Sequence, residues 1–504
     1  MQLWGVSRAG RAGKFAGGCA LLFAACAPSS ASAQAISSGV LSSGAFAQTG
    51  TTVDNRDFAV IPVVGLQESF TDNALLTSTG KQYDFITRPM VGADMNIRGP
   101  ATATVSGHLF YDAYARDGSL SGWSADASMI GTYDLVPSFL SIDAQGVLTN
   151  TNATVFGEPA IDRVGTADRT QLATYDVGPH VRTTLDDFAD VDLIGRFAQI
   201  FFSNPQASTV VLPSDSTVVQ SVGTIDTAQR YTGYELVTSG QFERDDHGFQ
   251  SYGGLQSIFL RVMPEVRLIG RGGYDHVEQP IINTISAPIW SGGVEVSINQ
   301  QSKITVETGE RYNHSAWAAD VHLQFFDQLY AVGRYYETLE PDQVQINSSF
   351  VDFVTQTTQL PVQLASGTFN VNGNLDSQVS LNKQADFHLV YDWQGQTIDF
   401  QASWSDRFFM SASEHDRTLL SGVSYRRTIA PDLALTADAG YWHTFSNPFF
   451  GASELYRGEA ALQYDLNPTM RLTGGYTYER QLQLFTGGAS ISENVVYATI
   501  AKRF

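Results

Sequence analysis

The chain has 504 residues, of which 43% are hydrophobic and 16% are charged. The charged share lies below the ~25% that is usual in soluble globular domains, and beyond the N-terminus no run of about 18 apolar residues indicates a membrane helix. The formal net charge of −21 argues against nucleic acid as a partner, because a phosphate backbone would be repelled.

The first 33 residues are predicted to be a signal peptide, because a basic start is followed by an apolar stretch at 15–27 and by small residues at 31–33. Cleavage would remove three basic residues and no acid, which changes the net charge from −21 to −24. Both cysteines, Cys19 and Cys26, lie in this segment, so the mature chain would lack cysteine nucleophiles and cysteine metal ligands. The alternative is a lipoprotein signal, since the residues up to Cys26 weakly resemble a lipobox.

Residues 34–57 are rich in Ser, Gly and Thr and are predicted to be a flexible N-terminal segment. This segment is far too short for a plug domain, which argues against a TonB-dependent receptor. From 58 to 504 no linker or change of composition divides the sequence, so this region is predicted to be one domain.

The stretch 101–114 (ATATVSGHLFYDAY) alternates apolar and polar residues, which is the period of a β-strand with two different faces. Strands in soluble proteins have about five or six residues, whereas this one is long enough to cross a bilayer. The alternation recurs at 90–98, 123–135, 140–148, 317–325, 398–404, 456–466 and 470–478. An apolar face towards lipid and a polar face towards a wet lumen are typical of outer-membrane barrels, and closure leaves no backbone group unpaired in lipid.

The predicted fold class is therefore all-β: a single large antiparallel transmembrane β-barrel of about 20–22 strands, with long extracellular loops and short periplasmic turns. The patterns give a count of 21 strands. Because single-chain bacterial barrels have even numbers, we place the error between 204 and 264. Long loops are predicted at 204–229 and 338–383, and each could fold inwards as a constriction or lie on the surface.

The last strand carries a terminal pattern of its own. Val496, Ala498, Ile500 and the terminal Phe504 occupy alternate positions of ENVVYATIAKRF. This resembles the C-terminal signal of Gram-negative outer-membrane proteins, with Lys502 where an aromatic or apolar residue is more usual. The resemblance implies that the barrel assembly machinery is a partner, recognising Phe504, and that outer-membrane lipid surrounds the chain.

Five stretches resemble the β-barrel porins that are encoded near bacterial exopolysaccharide genes. They are GLQESFTDN (65–73), DFITRPMVG (84–92), TYDVGPHV (174–181, with His180 where an aromatic is more common), SKITVETGERY (302–312) and AVGRYYETLEPDQ (331–343). The resemblance would cover the chain from about 58 to 504. It implies an outer-membrane barrel with polysaccharide export components as partners.

No enzyme signature is found: the sequence contains no GxSxG, HExxH, P-loop or EF-hand motif. We therefore predict no enzyme, no cofactor and no metal. Two local patterns leave alternatives. His108, His322 and His388 share predicted lumen faces with Asp112, Asp320 and Asp386, which suits either a hydrolase or simply a polar wall. Asp72-Asn73 suits either a calcium site or, more readily, a turn that bonds its own backbone.

The predicted pore-lining residues are Arg88, Asp94, Arg98, His108, Asp112, Asp126, Asp134, Asp143, Arg196, Asp320, His322, Asp399, Arg457, Glu459 and Arg471. Acids dominate this set, which predicts a weakly cation-selective lumen; acid–arginine pairs that brace the wall are the alternative. The predicted function is an outer-membrane channel for polar solutes or an exopolysaccharide. The alternatives are a plugged barrel that acts as scaffold of a polysaccharide export complex, and an outer-membrane barrel hydrolase.

Overall fold

The computed structural model describes residues 58–152, 169–186, 188–203, 215–227, 231, 233–279, 282–341, 379–409, 414–446, 452–484 and 490–504. The signal peptide and the segment 34–57 lie outside these ranges and stay predictions. One turn of 3-10 helix spans Gly118–Leu120. Within these ranges, no helix is long and apolar enough to cross a membrane.

The described ranges contain 22 β-strands. These are β1 (Phe58–Thr71), β2 (Asp84–Ile97), β3 (Ala101–Tyr114), β4 (Gly122–Val136), β5 (Leu140–Asn152), β6 (Arg169–Leu185), β7 (Ala189–Ser203), β8 (Ser216–Asp226), β9 (Tyr234–Asp245), β10 (Gln250–Met263), β11 (Val266–Gln279), β12 (Ile282–Asn299), β13 (Ser302–Arg311), β14 (His314–Phe326), β15 (Leu329–Pro341), β16 (Val379–Trp393), β17 (Gln396–Phe409), β18 (Glu414–Ala430), β19 (Leu433–Ser446), β20 (Ser453–Asn467), β21 (Met470–Gln483) and β22 (Ser490–Arg503).

Each strand pairs antiparallel with the next, and β22 returns to β1, from Val63 opposite Arg503 to Thr71 opposite Val495. The sheet is therefore a closed barrel, and its backbone groups are paired around the ring as lipid requires. The predicted fold class is confirmed, and the strand number lies within the predicted range.

The sequence count of 21 was one strand short, and the loop predicted at 204–229 was wrong. Strand β8 occupies Ser216–Asp226 and pairs with both β7 and β9. Its lipid-facing positions mix apolar Val219 and Ile225 with Thr217, Ser221 and Gly223, so the apolar half of the alternation is too weak to be recognised. The error lies where the sequence analysis placed it.

Connections at the two ends of the barrel differ in length. At one end most strands are joined by very short turns, such as 264–265, 300–301 and 394–395. The other end carries the long connections, including 72–83 and 342–378. Outer-membrane barrels have short periplasmic turns and long extracellular loops, so the short-turn end, which also holds Phe504, is assigned to the periplasm. The greater part of the loop predicted at 338–383 lies outside the described residues.

The two faces of the barrel differ in chemistry. Exposed apolar side chains occupy the outward positions, among them Val496 and Phe504 of the terminal strand, with the ammonium of Lys502 4.6 Å from the centroid of the Phe504 ring. The alternate, inward positions are largely polar and buried against one another. Most tryptophans face outwards, but Trp442 lies opposite Leu420 and Leu455 on the inner face.

Candidate pore lining and mouth

The structure places nearly all predicted pore-lining residues on the inner face of the wall. Fourteen of them lie at inward strand positions: Arg88, Asp94, His108, Asp112, Asp126, Asp134, Asp143, Arg196, Asp320, His322, Asp399, Arg457, Glu459 and Arg471. Arg98 is the exception, because it lies in the turn between β2 and β3. That these side chains line a conducting pore stays a prediction.

Many inward charges are paired with an opposite charge on the same or a neighbouring strand. The guanidinium of Arg457 lies 3.2 Å from the Glu459 carboxylate and 3.4 Å from that of Glu479. Arg471 donates two hydrogen bonds to Asp465, at 2.6 and 3.1 Å. The inner wall is therefore polar, and ion pairs within and between its strands brace it.

A further network connects β5, β6 and β7, and it joins the predicted pore-lining residues Asp143 and Arg196 to His180, Asp176 and Asp192. The His180 ring is held between two carboxylates, with Nδ1 3.0 Å from Asp143 and Nε2 2.9 Å from Asp192. Arg196 lies 3.3 Å from Asp143 and 3.7 Å from Asp176. His180 thus occupies a polar, buried position, which explains why no aromatic residue stands there.

The predicted histidine–aspartate contacts form in only one of three cases. His322 lies 2.9 Å from Asp320, as expected. His388, however, contacts Asp399 at 2.5 Å, while the Asp386 carboxylate accepts hydrogen bonds from Gln384 and Ser403.

The third pair is also rearranged. Asp112 is engaged by Arg88, and Asp94 is the carboxylate that lies 4.0 Å from His108. Each of the three histidines therefore lies within a polar wall. Their carboxylate neighbours differ in position relative to the histidine, so the three do not repeat one catalytic pair.

The segment around Asp72 and Asn73 closes the seam between β1 and β22. Asn494 donates from its backbone and its side-chain amide to the Asp72 carboxylate, at 2.8 Å each, and Lys81 lies 3.3 Å from the same group. Asn73 donates to the backbone oxygens of Thr77 and Ser492, at 2.9 and 3.0 Å.

These bonds set the ionisation of Asp72. Burial alone would raise its pKa, but the hydrogen bonds from Asn494 and the proximity of Lys81 outweigh burial and hold the pKa below the ordinary aspartate value. Asn73 bonds the local backbone at Thr77, as the turn interpretation expects, whereas the Asp72 carboxylate bonds Asn494 across the seam. Among the residues that the structure describes, no group of three or more His, Cys, Asp or Glu is placed to hold a metal.

At the long-loop end, β15 separates from β14. Their ladder ends at the pair Ala319–Tyr335, although β14 continues to His314 and β15 to Pro341. The Glu337 side chain occupies the space between them. Its carboxylate lies 2.9 Å from Nε2 of His314, accepts a 3.4 Å hydrogen bond from the backbone N–H of Trp317, and accepts another from the Tyr335 hydroxyl at 3.1 Å.

Beyond this separation, the ends of β15 and β16 pack inside the mouth of the barrel. Leu339 and Val379 share one buried apolar cluster with inward residues of β6, β7, β8, β11 and β12, together with Phe249 of the β9–β10 connection. The inward members are Leu172, Ala198, Ile200, Val218, Val277, Ile285 and Ala287. The inner wall is thus apolar at this end, which the expectation of a uniformly polar lumen did not foresee.

A recess of about 370 Å³ lies in the inner wall between β9 and β15. Two ion pairs line it: Arg271 donates two hydrogen bonds to Glu307 at 2.7 and 2.8 Å, and Arg311 donates one to Asp275 at 2.9 Å. Its other lining residues include Ser239, Gln241, Leu255, Ser291, Ala318 and Tyr336.

Glycines make this recess concave. A Cβ at Gly253 would collide with the Asp275 carboxylate, and a Cβ at Gly293 would collide with the Glu307 side chain. Absence of a side chain at these inward positions lets both carboxylates lie flat against the wall. Asp275, Glu307 and Arg311 are absent from the predicted pore-lining set, although their strands carry the same alternation.

Solved structures similar to this chain include two receptors and a transporter. They include the ferric-catecholate import receptor Fiu of Escherichia coli K12 (9% identity, TM-score 0.49, 88% of this chain and 81% of that one) and the siderophore receptor PirA of Acinetobacter baumannii (7%, 0.48, 88% and 80%). The copper transporter OprC is a third (9%, 0.44, 89% and 80%). Identities of this size do not carry a ligand or partner from those proteins to this chain.

No protein-family model and no curated protein sequence matches the chain. Its resemblance to the exopolysaccharide-associated porins therefore stays a prediction. The closed ring of antiparallel strands, apolar outside and polar inside, is nevertheless decisive for its place in the cell. The chain is a large β-barrel of the Gram-negative outer membrane.

Proposed function

We propose that this barrel is a passive channel for polar solutes. The observation that carries the proposal is the inner face itself: almost every strand presents charged or amide side chains inwards, while the outward positions are apolar. A barrel of 22 strands encloses far more space than side chains alone fill. A polar wall around such a space is suited to hydrated solutes, whereas a barrel filled by an apolar core would have apolar inward side chains.

The charge of the inner face supports a weak preference for cations. Acidic residues outnumber basic ones at the inward strand positions, and on β17 to β20 they form a row without a basic member. In that row Asp399 lies opposite Ser424, Ser424 opposite Asp438, and Asp438 opposite Glu459. Charged rings in a low-dielectric wall favour the ion of opposite sign, although the ion pairs elsewhere on the wall weaken the effect.

An exopolysaccharide as the solute, with export components as partners, is the narrower form of the proposal. The resemblance of the five stretches to the exopolysaccharide-associated porins supports it. We propose a transport role rather than a catalytic one, because the three histidines that suggested a hydrolase have different partners: Asp94, Asp320 and Asp399.

A closed barrel that serves as a scaffold is the second candidate function. The packing of Leu339 and Val379 inside the mouth favours it, because a hairpin end in this position narrows the entrance. The same packing is compatible with a channel whose mouth is constricted, so conductance decides between them.

The test is single-channel recording of the refolded chain in a planar bilayer under a salt gradient. A channel gives stable steps whose reversal potential indicates cations, and the Asp399→Asn/Asp438→Asn variant shifts that potential towards zero. The matched control is Asp406→Asn, because Asp406 lies on the outward face and contacts His415 and Arg417. Silence from correctly folded protein would reject the channel in favour of the scaffold, and an anion preference would reject the acidic-lumen argument.

A further inference from the structure

The recess between β9 and β15 is a cavity whose charged groups are already balanced. Arg271 is matched by Glu307, and Arg311 by Asp275, each through hydrogen bonds of 2.7 to 2.9 Å. At its edge, the Glu337 carboxylate lies 3.9 Å from the Lys383 ammonium and 2.9 Å from Nε2 of His314. Glu310, the remaining charged residue of the lining, faces outwards and accepts a 3.3 Å hydrogen bond from the Trp290 indole.

This balance decides which ligands the recess can take. An ion entering it would have to compete with charge-assisted pairs whose carboxylates are buried, since the side chains of Glu307 and Asp275 are 10% and 5% exposed. Displacing the arginine from such a pair leaves a buried carboxylate uncompensated. A neutral ligand avoids that penalty. It can hydrogen-bond to the carboxylate lone pairs that the guanidinium groups leave available, since each carboxylate offers about four acceptor positions.

The remaining lining residues favour a ligand that has both hydroxyl groups and apolar C–H surfaces. Ser239 and Gln241 provide uncharged donors and acceptors, while Leu255, Ala318 and Tyr336 provide apolar and aromatic contact. The Ser291 hydroxyl already donates to Glu307 at 3.0 Å and provides an acceptor only. The volume of about 370 Å³ lies at the lower end of the range of roughly 300–1,000 Å³ in which proteins enclose small molecules.

We propose that this recess binds a neutral sugar of one or two rings as it passes along the inner wall. The inference rests on the proposed channel function for its biological meaning, because the sugar reaches the recess through the lumen. Binding itself can be measured without conduction, so the two proposals fail separately.

The test uses three pyranoses that share a ring and differ in charge: glucose, glucuronate and glucosamine, at slightly acidic pH where the amine is protonated. Saturation-transfer NMR on the refolded chain in micelles measures binding, and sugar-induced interruption of the current in a bilayer measures passage. We expect glucose to bind at least about tenfold more tightly than either charged sugar, since ~1.4 kcal/mol of lost pairing corresponds to that ratio. Equal or tighter binding of a charged sugar would overturn the proposal.

Three variants locate the site. Ala318→Trp fills the recess from β14 and abolishes glucose binding, whereas Ala434→Trp, at an inward position of β19 outside the recess, leaves it unchanged. Glu307→Gln leaves the Arg271 charge uncompensated and reverses the preference, so that glucuronate binds more tightly than glucose.

Glucose binding that survives Ala318→Trp, or an unchanged preference in Glu307→Gln, would place any sugar site elsewhere. Binding in a barrel that does not conduct would reject the channel and leave the recess site standing. Conduction without sugar binding would support the channel and reject the recess site.

Discussion

Arg88 of β2 and Asp112 of β3 form a two-point ion pair inside the wall, with Nε–Oδ1 and Nη2–Oδ2 distances of 2.5 and 2.9 Å. Asp112 is 0% exposed and Arg88 only 4%, and the guanidinium lies 5.5 Å from the centroid of the Phe110 ring. Because neither charge reaches solvent, loss of one leaves the other buried and uncompensated.

Asp112→Asn should therefore lower the free energy of unfolding by about 3–5 kcal/mol, the range for breaking a buried pair. Urea unfolding in detergent measures the change. Arg88→Met/Asp112→Leu, which removes both charges, is the control and should recover most of the loss. Equal destabilisation in the single and the double variant would show that packing, rather than charge compensation, explains the effect.

The seam between the first and last strands should weaken in acid. The pKa of Asp72 is held below the ordinary value in the folded chain, so its contribution is fully present above the unfolded value of ~3.9. It is lost as pH falls through the folded pKa, when the carboxylate is protonated and its bonds to Asn494 and Lys81 weaken.

We expect Asp72→Asn to be less stable than the wild type at neutral pH and equal to it well below the folded pKa of Asp72. Unfolding free energies at the two pH values test this. Asp327→Asn is the control, since Asp327 is an exposed residue of the β14–β15 connection, away from the seam. A difference that persists unchanged in acid would contradict the role of the Asp72 charge.

The histidine between two carboxylates provides a third test. His180→Phe installs the aromatic residue that the family resemblance favours, but it removes the contacts of 3.0 and 2.9 Å with Asp143 and Asp192. Loss of hydrogen bonds at a buried polar group costs about 1–3 kcal/mol, and we expect a destabilisation of that size in urea unfolding.

The control is His276→Phe, at an outward position where the ring stacks 4.5 Å from the Tyr252 ring. An aromatic substitute preserves stacking and loses only an exposed hydrogen bond with Ser286 at 2.6 Å, so this variant should change little. If His180→Phe changed the free energy of unfolding as little as His276→Phe does, the stability of the β5–β7 network would not depend on its histidine.

Much of the wall could be predicted because alternation is a property of each strand alone. The stretch 101–114 is β3 to the residue, and Val496, Ala498, Ile500 and Phe504 do share the outward face. Strand β8 was missed for the converse reason, since Thr217, Ser221 and Gly223 weaken the apolar character of its lipid face.

Pairing between strands could not be predicted, because it depends on register. His388 shares a face with Asp386 on the same strand, but its hydrogen-bonding partner is Asp399 on β17. The recess also depends on strand register. Glu307 and Arg271 lie 36 positions apart in sequence and meet only when β11, β12 and β13 are aligned.

The packing of Leu339 inside the mouth leads to a last prediction. Its side chain is buried in a cluster with Ile285 and Ala287 of β12, beyond the point where β15 leaves β14. Leu339→Asp places a charge among apolar groups, which is costly enough to displace the strand end. If the hairpin end narrows the mouth, its displacement should increase the unit conductance of the refolded barrel.

Leu339→Met is the matched control, because it keeps an apolar side chain of similar volume and should conduct as the wild type does. Greater protease sensitivity of the β15–β16 region in the aspartate variant alone would show that the strand end has been released. Release without a change in conductance would mean that the narrowest part of the lumen lies deeper, among the ion pairs of the wall. An increase in both variants would point to the exact shape of the leucine rather than to the apolar contact.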